Sequence, residues 1–203
     1  MNNVNYNLKM FEIINQLSSK KNLLLHVCCA PCSTVVVKQL LEYFNITIYF
    51  YNPNIDVLEE YNKRFNELLK IYDNLTIINE VYDNDNFLDY IKDYSHLDEG
   101  SNRCYLCYKK RLEQTAKYAN EKNFEFFTTT LSISPYKNSK WINEIGYELE
   151  KKYKISYLCA DFKKNNGYKK SIELSKENNL YRQDYCGCKY SKIEHENRIK
   201  ENN

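Results

Sequence analysis

Short apolar segments alternate with longer amphipathic ones along most of the chain, and this pattern predicts strands and helices in turn. The apolar segments are rich in leucine, β-branched and aromatic residues, and the predicted strands begin at residue 23 and cover 46–51, 75–81, 124–133 and 155–162. Apolar residues at three- and four-residue steps predict helices around 34–41, over 57–72, around 87–94, after the cysteine pair near residue 107, around 141–153 and over 167–179. Such alternation is typical of a parallel sheet with helices on both faces, in which sites form beyond the carboxyl ends of the strands.

The length indicates one domain. The 203 residues suffice for one α/β domain with a full core and are too few for two. We predict a single domain over 1–203, in which 1–21 form an N-terminal helical extension and 190–203 a polar C-terminal helix or tail. The first 20 residues hold no apolar stretch of the about 7–15 residues that a secretory signal needs, and no run approaches the about 18 apolar residues of a membrane span. We therefore expect a cytoplasmic protein that does not bind a membrane.

Three of the eight cysteines follow directly on the first predicted strand. They are Cys28, Cys29 and Cys32. Pro31 suits the first turn of a helix, because the N–H that proline lacks would have no partner there, so these cysteines lie at a strand-to-helix turn. The partial positive charge at a helix N-terminus favours the thiolate, which is the form that binds metals. In a reducing compartment such a cluster indicates metal or redox chemistry.

Seven of the cysteines form three groups, and their number limits the metals that they suit. The groups are Cys28, Cys29 and Cys32, then Cys104 and Cys107, then Cys186 and Cys188. A structural zinc site needs four ligands, so seven thiols divide better into four for a [4Fe–4S] cluster and three for a metal with an open coordination position. Two or more zinc ions that hold loops together remain the alternative. Cys159 stands alone in a predicted strand, where a cysteine is usually a small buried apolar residue.

The first strand-to-helix turn lacks the glycines of a nucleotide site. ATP or NAD at this position would require glycines that let the backbone approach phosphate, and the segment from His26 to Cys32 contains none. His26 lies on a predicted buried strand, where a histidine is more often a satisfied core residue than a ligand. The net charge of +2 gives no indication of nucleic-acid binding, and basic runs such as 109–111 are typical of solvated helix faces.

Six segments, taken together and in this order, resemble the QueH family of epoxyqueuosine reductases over about residues 22–190. They are 26–33 (HVCCAPCS), 50–55 (FYNPNI), 60–61 (EY), 103–108 (RCYLCY), 128–131 with 134–138 (TTTL and SPYKN) and 181–188 (YRQDYCGC). The resemblance implies a Rossmann-like scaffold with a cysteine-rich metal site at the C-terminal ends of the strands. The implied activity removes the epoxide oxygen of epoxyqueuosine at the tRNA wobble position, which gives queuosine.

The resemblance also implies two metal centres, a [4Fe–4S] cluster and an adjacent mononuclear iron. Carried over residue by residue, the cluster would be held by Cys28, Cys29, Cys104 and Cys107. The iron would be held by Cys186, Cys188 and the residue after Ala-Pro, which is Cys32. Some members of the family have aspartate at this last position, so a third thiolate in place of a carboxylate leaves the charge and the affinity of the iron site open.

The implied reaction needs protons, electrons and an RNA substrate. The candidate proton donors are polar residues of the matched segments, namely Tyr136, Lys137, Tyr181 and Tyr185. An external low-potential donor of the ferredoxin or flavodoxin type would supply electrons, since clusters carry one electron at a time. A flipped anticodon base would stack on an aromatic ring, for which Tyr51, Tyr105 or Tyr181 is a candidate.

Two other classes of function remain open from the sequence. A zinc-stabilised RNA-binding module would contain no iron and would not respond to reductant. An iron–sulfur tRNA sulfur-transfer enzyme could use similar cysteines, but such an enzyme normally activates the base with ATP. The first turn without glycine argues against ATP binding.

Overall fold

A five-stranded parallel sheet forms the centre of the molecule. The computed structural model describes residues 4–201 of the chain. The strands are β1 (Lys21–His26), β2 (Phe44–Phe50), β3 (Thr76–Asn79), β4 (Phe126–Thr129) and β5 (Ser156–Tyr157), in the spatial order β3-β2-β1-β4-β5. Every pairing is parallel, with Leu25 opposite Ile48 on one side and Thr128 on the other. The predicted α/β class with a parallel sheet is confirmed.

Eight α-helices connect and cover the strands in the described part of the chain. They are α1 (Tyr6–Ile14), α2 (Ala30–Leu40), α3 (Leu58–Ile71), α4 (Asn84–Ile91), α5 (Asn102–Glu121), α6 (Ser139–Tyr153), α7 (Gly167–Glu177) and α8 (Lys189–Glu201). Short 3-10 helices follow α4 at Lys92–Tyr94 and β4 at Thr130–Ile133. Residues 1–3 of the predicted N-terminal extension and 202–203 of the predicted tail lie outside the described residues.

The central strand β1 buries side chains on both faces of the sheet. Leu23 and Leu25 belong to a core with residues of α2 and α3, whereas Leu24 points to the opposite core, which α5 and α6 supply. This division follows from the two-residue period of a strand, which sends alternate side chains to opposite faces. The leucine run is therefore continuous because both faces are covered.

Two strands end earlier than the apolar pattern predicts. The pattern predicts strand four over 124–133, but β4 stops at Thr129, whose side chain accepts a hydrogen bond from Leu131 N (3.1 Å) and starts a 3-10 turn. Strand five was expected over 155–162, and β5 covers only Ser156–Tyr157. Beyond it the amide of Asn143 bonds both the carbonyl and the N–H of Ala160, each at 2.9 Å, and so takes the place of a neighbouring strand.

The ends of the chain extend this core in different ways. Helix α1 belongs to the predicted extension, and its residues Met10 and Ile14 are buried in the core. Helix α8 is polar and buries only Ser191 among its residues. No helix in residues 4–201 is long and apolar enough to cross a membrane.

Candidate metal centre

The first three cysteines gather at the turn between β1 and α2. Strand β1 ends at His26, and Cys29 is the N-cap of α2, with extended backbone angles and proline in the first turn of the helix. The sulfur atoms of Cys28, Cys29 and Cys32 all lie within 4.8 Å of one another. The predicted strand-to-helix turn is confirmed, and it presents three converging thiols that can hold a metal.

The pKa values of these three thiols are shifted in opposite directions. The pKa of Cys28 is well below its usual range, because the thiols of Cys29 and Cys32 hydrogen-bond to its sulfur. Burial and the neighbouring Cys28 sulfur raise the pKa of Cys29 to about 12. The pKa of Cys32 is raised well above its usual value by its bonds to the other two sulfurs and by burial. Cys28 is thus the thiolate of the group, and it is ready to ligate a cation.

The other four cysteines of the predicted site line a second, smaller space. Cys104 and Cys107 lie one turn apart at the start of α5, and Cys186 and Cys188 lie in the loop before α8. All four border an enclosed cavity of about 20 Å³. Cys104 Sγ accepts a hydrogen bond from Gly100 N at 3.2 Å, and Cys188 Sγ accepts one from Ser191 N at 3.4 Å.

Cys186 connects the small cavity to a larger pocket. This thiol pocket, of about 500 Å³, is bordered by Cys28, Cys32 and Cys186 and opens to the surface. The thiols that lie together are not those that the predicted division groups together. Cys32 lies with Cys28 and Cys29. Cys186 and Cys188 share the small cavity with the cysteine pair of α5. The assignment of individual thiols to a cluster and an iron stays a prediction.

Arg64 on α3 anchors the loop that carries Cys186 and Cys188. Its Nη1 donates to the Cys186 carbonyl at 3.1 Å, and its Nε pairs with Glu60 at 2.7 Å. Gly187 lies against the guanidinium with φ +113°, and a β-carbon there would meet Nη1 at 3.0 Å. The loop therefore needs glycine for its backbone angle and for the close approach of arginine.

Arg64 is a site residue that the sequence analysis missed. It was hidden in the amphipathic pattern of α3, where a charged residue is expected to face solvent. Its position, three residues after Tyr61 and four before Leu68, nevertheless places it on the buried face of the helix. That spacing was the available signal, because a cation on the apolar stripe of a helix needs a buried partner.

Arg111 on α5 is a buried cation with no acidic partner in the described residues. It is 1% exposed, and its hydrogen bonds go to the Cys107 carbonyl (3.3 Å) and Asn52 Oδ1 (3.5 Å). Burial lowers the pKa of this guanidinium, but Cys107, Cys186 and Cys28 outweigh burial and raise it. A buried charge without a partner is costly, and the sulfur atoms of Cys107, Cys186 and Cys28 are the groups placed to offset it.

Unpaired buried polar atoms concentrate around the thiols. Seven buried side-chain nitrogen and oxygen atoms in residues 4–201 have no hydrogen-bond partner, and six belong to residues that border the thiol pocket or the small cavity. The six are both amide atoms of Asn54, Arg64 Nη2, Arg103 Nε, Arg111 Nη2 and Gln183 Oε1. Most of them are donors. Native interiors rarely leave such groups unpaired, so the site fits an anionic, hydrogen-bond-accepting group held by thiolates.

His26 and Cys159 have structural roles, as predicted. Both ring nitrogens of His26 form hydrogen bonds, Nδ1 with Thr129 Oγ1 (2.8 Å) and Nε2 with the Tyr51 carbonyl (3.0 Å). Burial and the charge of Arg111 lower the pKa of His26 to about 3, so the ring is neutral. Cys159 is completely buried in the core on the α5 and α6 side.

The predicted proton donors divide by position. Tyr136, Lys137 and Tyr185 border the thiol pocket. Tyr181 does not border this pocket. Its hydroxyl donates a hydrogen bond to Glu60 (3.1 Å), and the ammonium of Lys63 lies 3.5 Å from the centre of its ring.

The predicted stacking residues are also engaged elsewhere. Tyr51 is buried in the core on the α5 side, and Tyr105 packs edge-on against Trp141 with ring centres 5.6 Å apart. Neither residue borders the thiol pocket.

Comparison with known proteins places this chain among relatives of one description. A family model described as epoxyqueuosine reductase QueH matches residues 23–194. The protein of that name from Streptococcus pyogenes serotype M1 is 38% identical over 193 residues, which cover 90% of this chain and 75% of the relative. The protein of the same name from Staphylococcus epidermidis is 38% identical over 201 residues, which cover 93% of this chain and 84% of the relative. The protein of the same name from Haemophilus influenzae is 40% identical over 173 residues, which cover 83% of this chain and 71% of the relative.

Proposed function

Because this chain belongs to the QueH family of epoxyqueuosine reductases, we propose that it reduces epoxyqueuosine to queuosine at the wobble position of tRNA. In this reaction two carbon–oxygen bonds of the epoxide break and a carbon–carbon double bond forms. Two electrons and two protons enter, and the oxygen leaves as water. The enzyme is accordingly an oxidoreductase that acts on RNA.

The concentration of unpaired donors around seven thiols is the observation that carries this proposal. We propose that Cys28, Cys29, Cys104 and Cys107 hold a [4Fe–4S] cluster and that Cys32, Cys186 and Cys188 hold one iron. When bound, these groups supply single electrons at low potential and a Lewis acid. Thiolates, amide and guanidinium groups are the ligands and hydrogen-bond donors that such centres use.

Cationic groups lie near the thiols of both proposed centres. Arg111 is influenced by Cys107, Cys186 and Cys28, and Lys137 by Cys186, Cys28 and Cys32, so neither cation belongs to one centre alone. Burial lowers the pKa of the Lys137 ammonium, and these sulfurs raise it further than burial lowers it. Each proposed centre thus has a positive group beside it.

Lys137 is the proton donor that the thiol pocket offers. It borders the pocket with Cys28, Cys32 and Cys186, and no carboxylate in residues 4–201 lies within ion-pair distance of its ammonium. Because its pKa is raised, the Lys137 ammonium stays charged, so it would stabilise negative charge on the epoxide oxygen and would give its proton only to a strongly basic alkoxide. Tyr185 borders the same pocket and lies under Arg64, with 5.6 Å between the guanidinium carbon and the ring centre.

Replacing Lys137 by methionine should lower kcat by about 10²–10⁴-fold, the usual contribution of a positioned acid, while iron and sulfide per chain stay unchanged. The matched control is Lys140→Met, because Lys140 is an exposed lysine three residues along that lies 3.7 Å from Glu144. Steady-state kinetics with metal analysis measures both variants. Equal activity of the two variants would remove Lys137 from the mechanism.

The activity itself is tested with anaerobically purified protein, tRNA that carries epoxyqueuosine, and a low-potential one-electron donor without ATP. Mass spectrometry of the digested nucleosides should show conversion of epoxyqueuosine to a product that lacks one oxygen atom. Absence of oxygen loss refutes the proposal. A strict requirement for ATP would favour tRNA sulfur transfer, and full activity of a zinc protein without iron would exclude the iron centres.

The electron donor and the compartment follow from the same chemistry. We propose a ferredoxin- or flavodoxin-type protein as donor, because single-electron carriers of low potential match an iron–sulfur acceptor. Free thiols at all eight cysteines accord with the cytoplasm, where thiols stay reduced.

A further inference from the structure

We propose that Tyr136 is a stacking platform for a nucleobase of the RNA substrate, at the mouth of the thiol pocket, which two cations without acidic partners also border. The inference rests on the proposed function and adds to it the surface that receives the RNA. Neither the thiols nor the proposed proton donor determines where the rest of the RNA loop lies.

Tyr136 is unusual among the aromatic residues because its ring is directed to solvent. It is 77% exposed, more than any other large apolar residue in the described chain. Its hydroxyl makes no hydrogen bond to any part of residues 4–201. An exposed ring of this size contributes little to folding, so the position is free for recognition.

A tight turn fixes the backbone that carries this ring. Ser134 Oγ accepts from Tyr136 N at 3.3 Å, and the Ser134 carbonyl accepts from Lys137 N at 3.2 Å. The turn begins after the buried Ile133 and is followed by Asn138, which caps α6. The ring is therefore presented from a backbone that is held on both sides, which lowers the entropy that binding costs.

Two cations that border the thiol pocket with Tyr136 lack acidic partners in residues 4–201. They are Lys137, the next residue in the chain, and Arg182. Arg182 contacts only neutral groups, with Nη1 3.3 Å from Ser175 Oγ and its guanidinium 5.4 Å from the Tyr168 ring centre. In contrast, the two acidic residues of the pocket, Asp184 and Glu99, face His195 (3.1 Å) and Arg198 (3.9 Å).

This combination of ring and charge fits single-stranded RNA. Bases stack on an exposed aromatic ring without regard to sequence, while phosphates pair with the neighbouring cations. The tyrosines expected from the sequence to stack on a base, Tyr51, Tyr105 and Tyr181, are packed or hydrogen-bonded elsewhere. Tyr136 is the ring at the pocket mouth that is left for this purpose, since Tyr168 and Tyr185 lie against arginines.

The test measures binding separately from reduction. The probe is a fluorescently labelled anticodon stem-loop RNA with unmodified guanosine at the wobble position, titrated with anaerobic holoenzyme. Tyr136→Leu keeps bulk but removes the ring and should weaken binding by about 5- to 150-fold, the range for one lost base stack. Tyr136→Phe keeps the ring and should bind within about twofold of the parent protein. Tyr94→Leu is the matched control, because Tyr94 is exposed and does not border the pocket.

Each outcome decides the inference. Weak binding by Tyr136→Leu alone, with iron content unchanged, supports it. Equal affinity of Tyr136→Leu and the parent overturns it, and so does a Tyr136→Phe variant as weak as Tyr136→Leu, since the hydroxyl would then matter. If Tyr136→Leu binds RNA normally but raises the KM for the electron-donor protein, the mouth serves that partner instead. A holoenzyme that binds RNA through Tyr136 but removes no epoxide oxygen would refute the proposed function and leave this surface standing.

Discussion

Cys107→Ala protein should be colourless and inactive, whereas Cys188→Ala protein should keep most of its colour and sulfide and still be inactive. The parent protein is expected to contain about four to five irons per chain with acid-labile sulfide, as one cluster and one iron require. Cys107 is assigned to the cluster, so its loss removes a cluster ligand. Cys188 is assigned to the iron, so its loss should remove about one iron per chain.

Iron and sulfide analysis of anaerobic preparations, together with visible spectra, measures this difference. Cys159→Ala is the control, because Cys159 is completely buried and borders neither the thiol pocket nor the small cavity, so its replacement should cost about 1 kcal/mol of stability while both centres stay in place. Cys32→Asp should retain part of the activity, since a carboxylate also ligates iron. If Cys188→Ala loses the cluster as completely as Cys107→Ala, the two cavity pairs form the cluster site together, as proximity in the small cavity suggests.

Arg111→Met should destabilise the metal-bound protein far more than the metal-free protein. Without metal, no carboxylate in residues 4–201 pairs with Arg111 and only thiol sulfurs offset its charge, so an apolar replacement of similar volume changes stability little. With metal bound, the cation balances the anionic centre, and its removal leaves that charge unpaired, a loss of about 3–5 kcal/mol. The difference between the two forms is the expected result.

Thermal unfolding of apo and holo forms measures both effects, with a shift in Tm of about 2–4 °C for each kcal/mol in a chain of this size. Arg103→Met is the control for the metal-free form only, because Arg103 also borders the small cavity. It is nearly as buried as Arg111 but pairs with Glu194 at 3.0 Å, so its removal should destabilise the apo form. A loss of stability in apo Arg111→Met protein equal to that of the holo form would show that Arg111 is a structural residue only.

The parts of the fold that local sequence controls could be predicted. The turn from β1 to α2 follows from an apolar run, a proline and adjacent cysteines, which all act within a few residues. The early ends of β4 and β5 could not be predicted, because they depend on Thr129 and on Asn143, a helix residue 17 positions from its partner Ala160. Apolar patterns report burial, and they do not report which polar group completes a backbone hydrogen bond.

The candidate site shows the same division. Seven thiols in three groups were visible along the chain, since cysteine spacing is a sequence property. Arg64 and Arg111 were not assigned, because each occupies a helix position that resembles a solvated one until the loop of Cys186 and Cys188 folds against it. Whether a buried cation meets a carboxylate depends on the tertiary structure, and so does the lack of an acidic partner at Arg111 within the described residues.

A single turnover without an external donor tests most directly the claim that the thiol-bound centre performs the reduction. Anaerobic protein is reduced, freed of excess reductant and mixed with half an equivalent of tRNA that carries epoxyqueuosine, because each epoxide needs two electrons and each cluster supplies one. The visible spectrum and the nucleosides are followed together. The account predicts that oxygen loss from the modified base and return of the oxidised spectrum proceed with the same rate constant, and that Cys107→Ala protein shows neither. Formation of queuosine by Cys107→Ala protein, or without any change in the visible spectrum, would contradict it.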